Sequence, residues 1–219
     1  MKKDAVRLLI NSRNRLLNEL KRVIQTGSFN YRTFGTEIEN YISNWLIKFF
    51  TQEGFIRSKK DYFIAPDKNY FPDFKLRLKP SIAIEYKTGN SSKLSKGRWV
   101  VCKNSNNDMG TLSSWPAKLK KFGGENIYYI FVIYNFNDRV KEILNVQIAP
   151  FYQFIGLNKA SFLKYREKDG NLRPKNFDAD SPIKTYGQFK ELFNRTIVYR
   201  SKRIIKKHRL IIKKAGRNS

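Results

Sequence analysis

Two acidic residues and a lysine stand at a spacing that could bring them together around one phosphate group or metal ion. Asp73 follows Pro72 and begins an alternating segment, and Glu85 and Lys87 end the next such segment. Because side chains of a strand alternate with a period of two, Glu85 and Lys87 share one face. If the two segments pair like the strands of a hairpin, Asp73 at the start of one lies near the end of the other.

Two carboxylates beside an ammonium group suit metal-assisted hydrolysis of a phosphodiester. The carboxylates can fix one or two Mg²⁺ ions, and the lysine can orient or deprotonate the attacking water. An ordinary interpretation is also open, in which Glu85 and Lys87 are a solvated pair on an exposed strand and Pro-Asp is a turn. A second Pro-Asp pair, Pro66-Asp67, precedes a turn-like Lys68-Asn69 rather than a strand, which favours Asp73.

Hydrophobic periodicity predicts the elements that position these residues. A first helix runs from Asp4 to about Gln25, and a second lies between Thr36 and Gly54. Alternation and turn residues then predict three consecutive strands, a possible fourth, a second core helix and a buried strand. The three strands are Phe55–Ile64, Phe74–Leu78 and Ile82–Tyr86, and the possible fourth is Arg98–Cys102. The second core helix runs from Ser113 to Gly123, and the buried strand is Ile127–Tyr134. A strand near Ile143–Ile148 and a basic helix from Tyr186 onward follow.

The predicted fold class is α/β (α+β), with helix, three strands, helix and strand around a central mixed sheet, an N-terminal helix and a basic C-terminal helix. A chain of 219 residues is long enough for one packed domain. We therefore expect one domain over 1–219. Residues 1–35 form the N-terminal helix and loop, 36–134 the catalytic core, and 135–219 a C-terminal extension.

The charge of the chain indicates a polyanionic partner. Lys and Arg number 44 against 18 Asp and Glu, a formal net charge of +26. Basic residues occur in nearly every segment, which favours nucleic acid over a membrane surface. The chain has one cysteine, Cys102, and one histidine, His208, so carboxylate oxygens must hold any metal ion. Oxygen ligands favour Mg²⁺, Mn²⁺ or Ca²⁺. The chain lacks an apolar run of roughly 18 residues and a signal-like start, so we expect a cytoplasmic protein.

Pro72-Asp73 together with Glu85-Tyr86-Lys87 resembles the motif of the PD-(D/E)xK nucleases, and the element order from about Thr36 to Tyr134 is similar to their restriction-endonuclease-like core. The small, basic build resembles a type II restriction endonuclease of a restriction-modification system. The resemblance implies Mg²⁺-dependent cleavage of double-stranded DNA at a short, usually palindromic site by a homodimer, with Mn²⁺ as a substitute ion and no small-molecule cofactor. It also implies that Asp73 and Glu85 are the metal ligands and Lys87 the catalytic lysine.

The second helix offers a further acidic candidate, because many members of this superfamily carry an acid there. Glu39 lies at the border of the core-facing stripe, whereas Glu37 lies further toward solvent. Glu39 is therefore a candidate catalytic residue. A capping box of Thr36 and Glu39 is an equally good interpretation.

Two polar segments are candidates for contact with DNA bases, because Asn, Ser and Lys side chains can read base edges in the major groove. The predicted DNA-binding residues are Asn90, Ser91, Ser92 and Lys93 after the catalytic strand, and Lys103, Asn104, Asn106 and Asn107 before the second core helix. Ordinary solvated loops would have the same composition.

Two other functions fit the same sequence. One is a junction resolvase or repair nuclease of the same superfamily, and the other is a non-catalytic basic DNA-binding protein in which Asp73, Glu85 and Lys87 are surface charges. For the expected homodimer, the apolar set from Val6 to Ile24 predicts a contact through the first helix. The alternative is that this helix packs on its own subunit.

Overall fold

The structure is a computed structural model that describes residues 2–67, 70–101, 108–158, 161–177 and 179–215. The described residues contain five α-helices and nine strands. The helices are α1 (Lys2–Asn11), α2 (Arg13–Thr26), α3 (Phe34–Gln52), α4 (Trp115–Phe122) and α5 (Tyr186–Ala215). The strands are β1 (Tyr62–Ile64), β2 (Phe74–Leu76), β3 (Ile82–Asn90), β4 (Ser92–Ser95), β5 (Arg98–Val101), β6 (Ile127–Phe136), β7 (Lys141–Pro150), β8 (Leu157–Asn158) and β9 (Phe162–Leu163).

Five strands form a central mixed sheet in the order β1-β2-β3-β6-β7. The predicted meander is confirmed, since β1, β2 and β3 pair antiparallel. β6 pairs parallel to β3, and β7 pairs antiparallel to β6. The first eight residues of β6 are almost all buried apolar or aromatic residues, because both faces of this interior strand are covered.

Helices cover both faces of the sheet, and the alternation of β3 divides its side chains between them. Ile84 and Tyr86 pack in the apolar core that α1, α2 and α3 share with the sheet. Ala83 packs in the other core, together with Tyr129 of β6, Trp115 of α4 and aromatic residues of α5. By the period of two, Glu85 and Lys87 point to the same face as Ala83.

The predicted first helix is in fact two helices, α1 and α2, separated at Ser12. The Ser12 hydroxyl donates to the Leu9 carbonyl at 2.7 Å, a local bond that competes with regular helix geometry. Leu9, Leu16 and Leu20 are essentially inaccessible within this one subunit. These residues of the apolar set therefore pack on their own subunit, as the alternative interpretation expects, and the contact of a homodimer through this helix stays a prediction.

The predicted strand Phe55–Ile64 is wrong over most of its length, because β1 occupies its last three residues. Residues 59–61 form a 3₁₀ turn instead. The Asp61 carboxylate accepts hydrogen bonds from the backbone N–H groups of Arg57 and Ser58, both at 2.8 Å, so local bonds replace strand pairing here. The predicted fourth strand corresponds to β5, which pairs with β4 in a separate hairpin, and Cys102 lies outside the described residues.

The predicted basic C-terminal helix is confirmed as α5, and its two halves differ. Phe189 and Phe193 are buried in the core, and Thr196 is fully buried. From Ser201 to Lys213 every side chain is exposed. The first half therefore belongs to the domain, while the second half presents its charges to solvent. Among the described residues no helix has both the length and the apolar character needed to cross a membrane.

Candidate active site

The pairing of β2 with β3 brings Asp73 beside Glu85. Phe74 pairs with Ile84 in the antiparallel ladder, so the residues next to this pair, Asp73 and Glu85, lie at the same level of the sheet. An Asp73 carboxylate oxygen accepts a hydrogen bond from the backbone N–H of Tyr86 at 2.5 Å. This bond fixes the carboxylate against β3. The sequence predicts this proximity, because Asp73 stands at the start of one strand and Glu85 at the end of the next.

Glu85 and Lys87 form a close ion pair at the edge of this cluster. The Lys87 Nζ atom lies 2.8 Å from Oε1 of Glu85. Glu85 is 8% exposed, and its second oxygen, Oε2, is buried without a hydrogen-bond partner among the described residues. A buried carboxylate oxygen without a partner is costly, and a cation or a water molecule would remove that cost.

The surroundings of Asp73 disfavour its charged form. Burial and, after it, the negative charge of Glu85 raise the pKa of Asp73 to about 7, against the opposing effects of the Tyr86 N–H and Lys87. The Asp73 carboxyl group is therefore held in a place where a proton or a metal cation is needed near neutral pH.

Lys87 is a cation in this environment. Burial alone would lower the pKa of Lys87, but the carboxylates of Glu85, Asp73 and Glu39 together raise it. A protonated lysine can orient a water molecule and stabilise negative charge, whereas it cannot accept a proton. Of the two roles that the sequence leaves open for Lys87, its raised pKa favours orientation.

Glu39 belongs to the same electrostatic cluster. It lies half-buried on α3, and burial is the main cause of its raised pKa. The positive charge of Lys87 acts to lower this pKa, and the negative charge of Glu85 acts to raise it. The capping-box interpretation is wrong, because α3 begins at Phe34 with Thr33 at its N-cap. The Thr33 hydroxyl is hydrogen-bonded to the Glu37 carboxylate, so Glu37 and not Glu39 is the acid tied to the helix start.

A second lysine, Lys118 of α4, lies at this cluster and was not identified from the sequence. The pKa of Lys118 is lowered by burial, and the charges of Glu85, Lys87 and Asp73 all act on it. One signal could have found it, because Lys118 follows Trp115 by three residues and so shares the face predicted to be apolar.

The oxygen donors of the cluster fit a hard divalent cation. Mg²⁺ takes oxygen ligands, is often bound through one or two carboxylates and keeps several water molecules. Asp73 and Glu85 supply such a pair of carboxylates, and Oε2 of Glu85 is free to bind. Within the described residues no group of three or more His, Cys, Asp or Glu side chains is arranged to hold a metal. A metal here would therefore rely on water and substrate oxygens for most of its ligands.

The competing Pro66-Asp67 pair lies after β1 and outside the strands. Asp67 is exposed, and its carbonyl accepts a hydrogen bond from the N–H of Tyr70 in a turn. The preference for Asp73 over Asp67 thus agrees with the position of both residues.

The predicted DNA-contact residues after β3 are not a loop, since Asn90 ends β3 and Ser92 begins β4. The Asn90 side chain donates to the Phe136 carbonyl at 2.9 Å and accepts from the Ser92 N–H at 3.1 Å. Ser92 is buried, and its hydroxyl is hydrogen-bonded to the Asn135 side chain. These two side chains therefore hold the start of the hairpin rather than facing a ligand. Ser91 is half-buried and Lys93 is exposed. The other four candidates, Lys103, Asn104, Asn106 and Asn107, lie outside the described residues.

No protein-family model and no curated protein matches this chain. Its fold is nevertheless similar to that of a solved structure, the NlaIV restriction endonuclease, with a TM-score of 0.53 and 13% sequence identity. The similarity covers 79% of this chain and 67% of that chain. At such low identity the similarity concerns the fold alone. The chain therefore has an α+β fold with a restriction-endonuclease-like core.

Proposed function

We propose that this protein is a Mg²⁺-dependent endonuclease of the PD-(D/E)xK type that cleaves double-stranded DNA at a specific sequence, as a type II restriction endonuclease does. The observation that carries the proposal is the convergence of Asp73, Glu85 and Lys87 at one point of the sheet, with a buried carboxylate oxygen that lacks a partner. A restriction-endonuclease-like fold and a net charge of +26 support it.

Asp73 and Glu85 would hold the metal ion, with Mn²⁺ able to replace Mg²⁺. A bound Mg²⁺ would polarise the scissile phosphate and stabilise the leaving oxygen. Lys87 would orient the attacking water and stabilise the charge that develops on the phosphate. Glu39 would hold a water molecule of the site from the side of α3.

The basic surface would supply affinity for the DNA backbone. Each phosphate that a Lys or Arg neutralises releases counterions, which gives strong binding at low salt regardless of sequence. Side chains that contact base edges would then select the site to be cut. Ser91 and Lys93, where β3 leads into β4, are candidates for such contacts.

Cleavage of supercoiled plasmid and long duplex DNA, with and without Mg²⁺, tests the proposal. We expect discrete fragments from the wild-type protein with Mg²⁺ and none with EDTA. Asp73→Ala and Lys87→Ala should lower the rate by at least about 10²-fold, because each removes a group that acts on the reacting phosphate. Both variants should bind duplex DNA as the wild type does when the metal is omitted.

The matched control is Asp67→Ala, which changes the other Pro-Asp pair and should leave cleavage within about 3-fold of the wild type. Near-normal cutting by Asp73→Ala or Lys87→Ala would contradict the proposed site. Cleavage confined to branched DNA would indicate a junction resolvase, and binding without any cleavage would indicate a non-catalytic DNA-binding protein.

A homodimer is part of this proposal. One subunit offers one such cluster, and cutting both strands of a palindrome in one encounter needs two clusters related by a twofold axis. We expect light scattering of the complex with an uncleaved duplex to give a protein mass of twice 25.9 kDa. A monomer in the complex, together with nicked circles that accumulate during plasmid digestion, would contradict the dimer.

A further inference from the structure

Lys118 is held between two aromatic rings at the cluster of acids. Its Nζ atom lies 4.0 Å from the centroid of the Phe71 ring and 5.3 Å from that of the Trp115 ring. The faces of aromatic rings attract a cation without neutralising it. The backbone at Gly110 is also close, since a Cβ atom there would stand 3.1 Å from Nζ. The ammonium group is thus fixed in position rather than free in solvent.

Both rings are connected to the two carboxylates of the proposed site. Phe71 precedes Asp73 by two residues. The Trp115 indole N–H donates to the Met109 carbonyl at 3.1 Å, and the Tyr129 hydroxyl donates to the same carbonyl at 3.4 Å. Tyr129 is the register partner of Glu85 in the parallel pair of β3 and β6. Lys118 therefore stands on the Glu85 side of the sheet, at the level of the acids.

Lys118 differs from Lys87 in having no ion pair. Among the described residues, no carboxylate oxygen lies within 4.0 Å of the Lys118 Nζ atom, whereas the ammonium of Lys87 contacts Glu85 at 2.8 Å. A half-buried ammonium group that is neither paired nor fully hydrated is costly to the fold. Its cost is offset when an anionic ligand enters the site.

We propose that Lys118 binds a non-bridging phosphate oxygen of the nucleic acid in the site, as a second lysine beside Lys87. Lys87 is paired with Glu85, whereas Lys118 has no ion pair among the described residues, so the charge of Lys118 is available to a phosphate oxygen that enters beside it. Its charge stabilises the extra negative charge on the phosphate as the water attacks. This inference rests on the proposed nuclease function, since the substrate phosphate defines the position of the ligand.

The test compares Lys118→Met and Lys118→Arg with the wild type, with Lys120→Met as the matched control. Lys120 is an exposed lysine of the same helix. Methionine keeps the unbranched, apolar chain that packs between the rings but lacks the charge, and arginine keeps the charge. We expect single-turnover cleavage by Lys118→Met to be slower by about 10²-fold. Lys118→Arg should restore part of the rate, and Lys120→Met should stay within about 3-fold of the wild type.

A second measurement does not depend on cleavage. Lysine acylation is followed by mass spectrometry in the wild-type protein, with and without duplex DNA, with Ca²⁺ in place of Mg²⁺. We expect DNA to protect Lys118 from the reagent. Thermal unfolding of Lys118→Met should occur within about 3 °C of the wild type, so that a lower rate is not a folding defect.

The outcomes distinguish a failure of the inference about Lys118 from a failure of the proposed nuclease function. Cleavage by Lys118→Met within about 3-fold of the wild type overturns the inference while the nuclease proposal stands. Equal acylation of Lys118 with and without DNA also overturns it. A wild-type protein that never cleaves DNA refutes the proposed function instead, and protection of Lys118 by DNA would then still support a phosphate-binding role.

Discussion

Removing the charge of Asp73 should stabilise the metal-free protein at neutral and alkaline pH. The pKa of Asp73 is raised from an ordinary value of 3.8 to about 7 by burial and by the charge of Glu85. The folded state therefore holds the Asp73 proton more tightly than the unfolded chain does. Stability from this group is complete below about pH 4 and is lost as the pH rises through about 7. One pKa unit corresponds to about 1.4 kcal/mol, so the full loss is up to about 4 kcal/mol.

The variant Asp73→Asn tests this effect, because the amide has the shape of the acid and its oxygen can still accept the bond from the Tyr86 N–H. Urea unfolding in EDTA at several pH values should show that the advantage of Asp73→Asn over the wild type grows by about 2–3 kcal/mol between about pH 5 and pH 8. Asp67→Asn, an exposed control, should parallel the wild type.

An excess of Mg²⁺ should reduce the pH dependence of the wild type, because a bound cation replaces the proton. The same excess should have little effect on Asp73→Asn. Parallel pH profiles of the wild type and Asp73→Asn in EDTA would refute the reasoning, since they would mean that Asp73 titrates alike in the folded and unfolded chains.

Two further predictions concern the helices on either side of the site. Truncation after Arg203 removes six Lys and Arg residues, and every removed side chain that the structure describes is exposed, so the protein should fold. It should bind every duplex about 10-fold or more weakly and show a smaller slope of log Kd against log salt. A change in the sequence that is cut would instead mean that α5 contacts bases. Glu39→Gln should raise the Mg²⁺ concentration needed for half-maximal cleavage by about 10-fold without loss of stability, since outer partners of a metal site tune its affinity. Glu37→Gln should leave that concentration unchanged and change the free energy of unfolding by less than about 0.5 kcal/mol, because the amide oxygen can still accept the bond from the Thr33 hydroxyl.

The central acids could be predicted from sequence because their geometry is local. Glu85 and Lys87 share a face by the parity of one strand, and a short connection between β2 and β3 brings Asp73 beside them. The preference for Asp73 over Asp67 rested on the same rule, since one precedes a strand and the other a turn. Such arguments need no knowledge of distant contacts.

The features that sequence reasoning missed depend on residues far apart in the chain. Phe34 is fully buried, and packing of this ring accompanies a helix start two residues before the predicted Thr36, which removes the capping box. Ser92 and Asn90 were predicted to face DNA, but they bind residues at the end of β6. The position of Lys118 becomes clear only when Phe71 is placed against α4.

Under the proposed function, the energetic cost of the cluster is offset by its ligands. Asp73, Glu85 and Glu39 are three acids in partly buried positions. Burial, together with the charges of Glu85 and Glu39, raises the pKa of Asp73 even though Lys87 is beside them. Apolar residues at these positions would make a more stable core, as replacement of buried charges often does. The surrounding net charge of +26 favours the entry of a polyanion, while the acids favour a divalent cation. Under the proposed function, a phosphate and its metal ion would satisfy both sets of charges at once, so the cost of burying the charges in the free protein would be offset when substrate and metal bind.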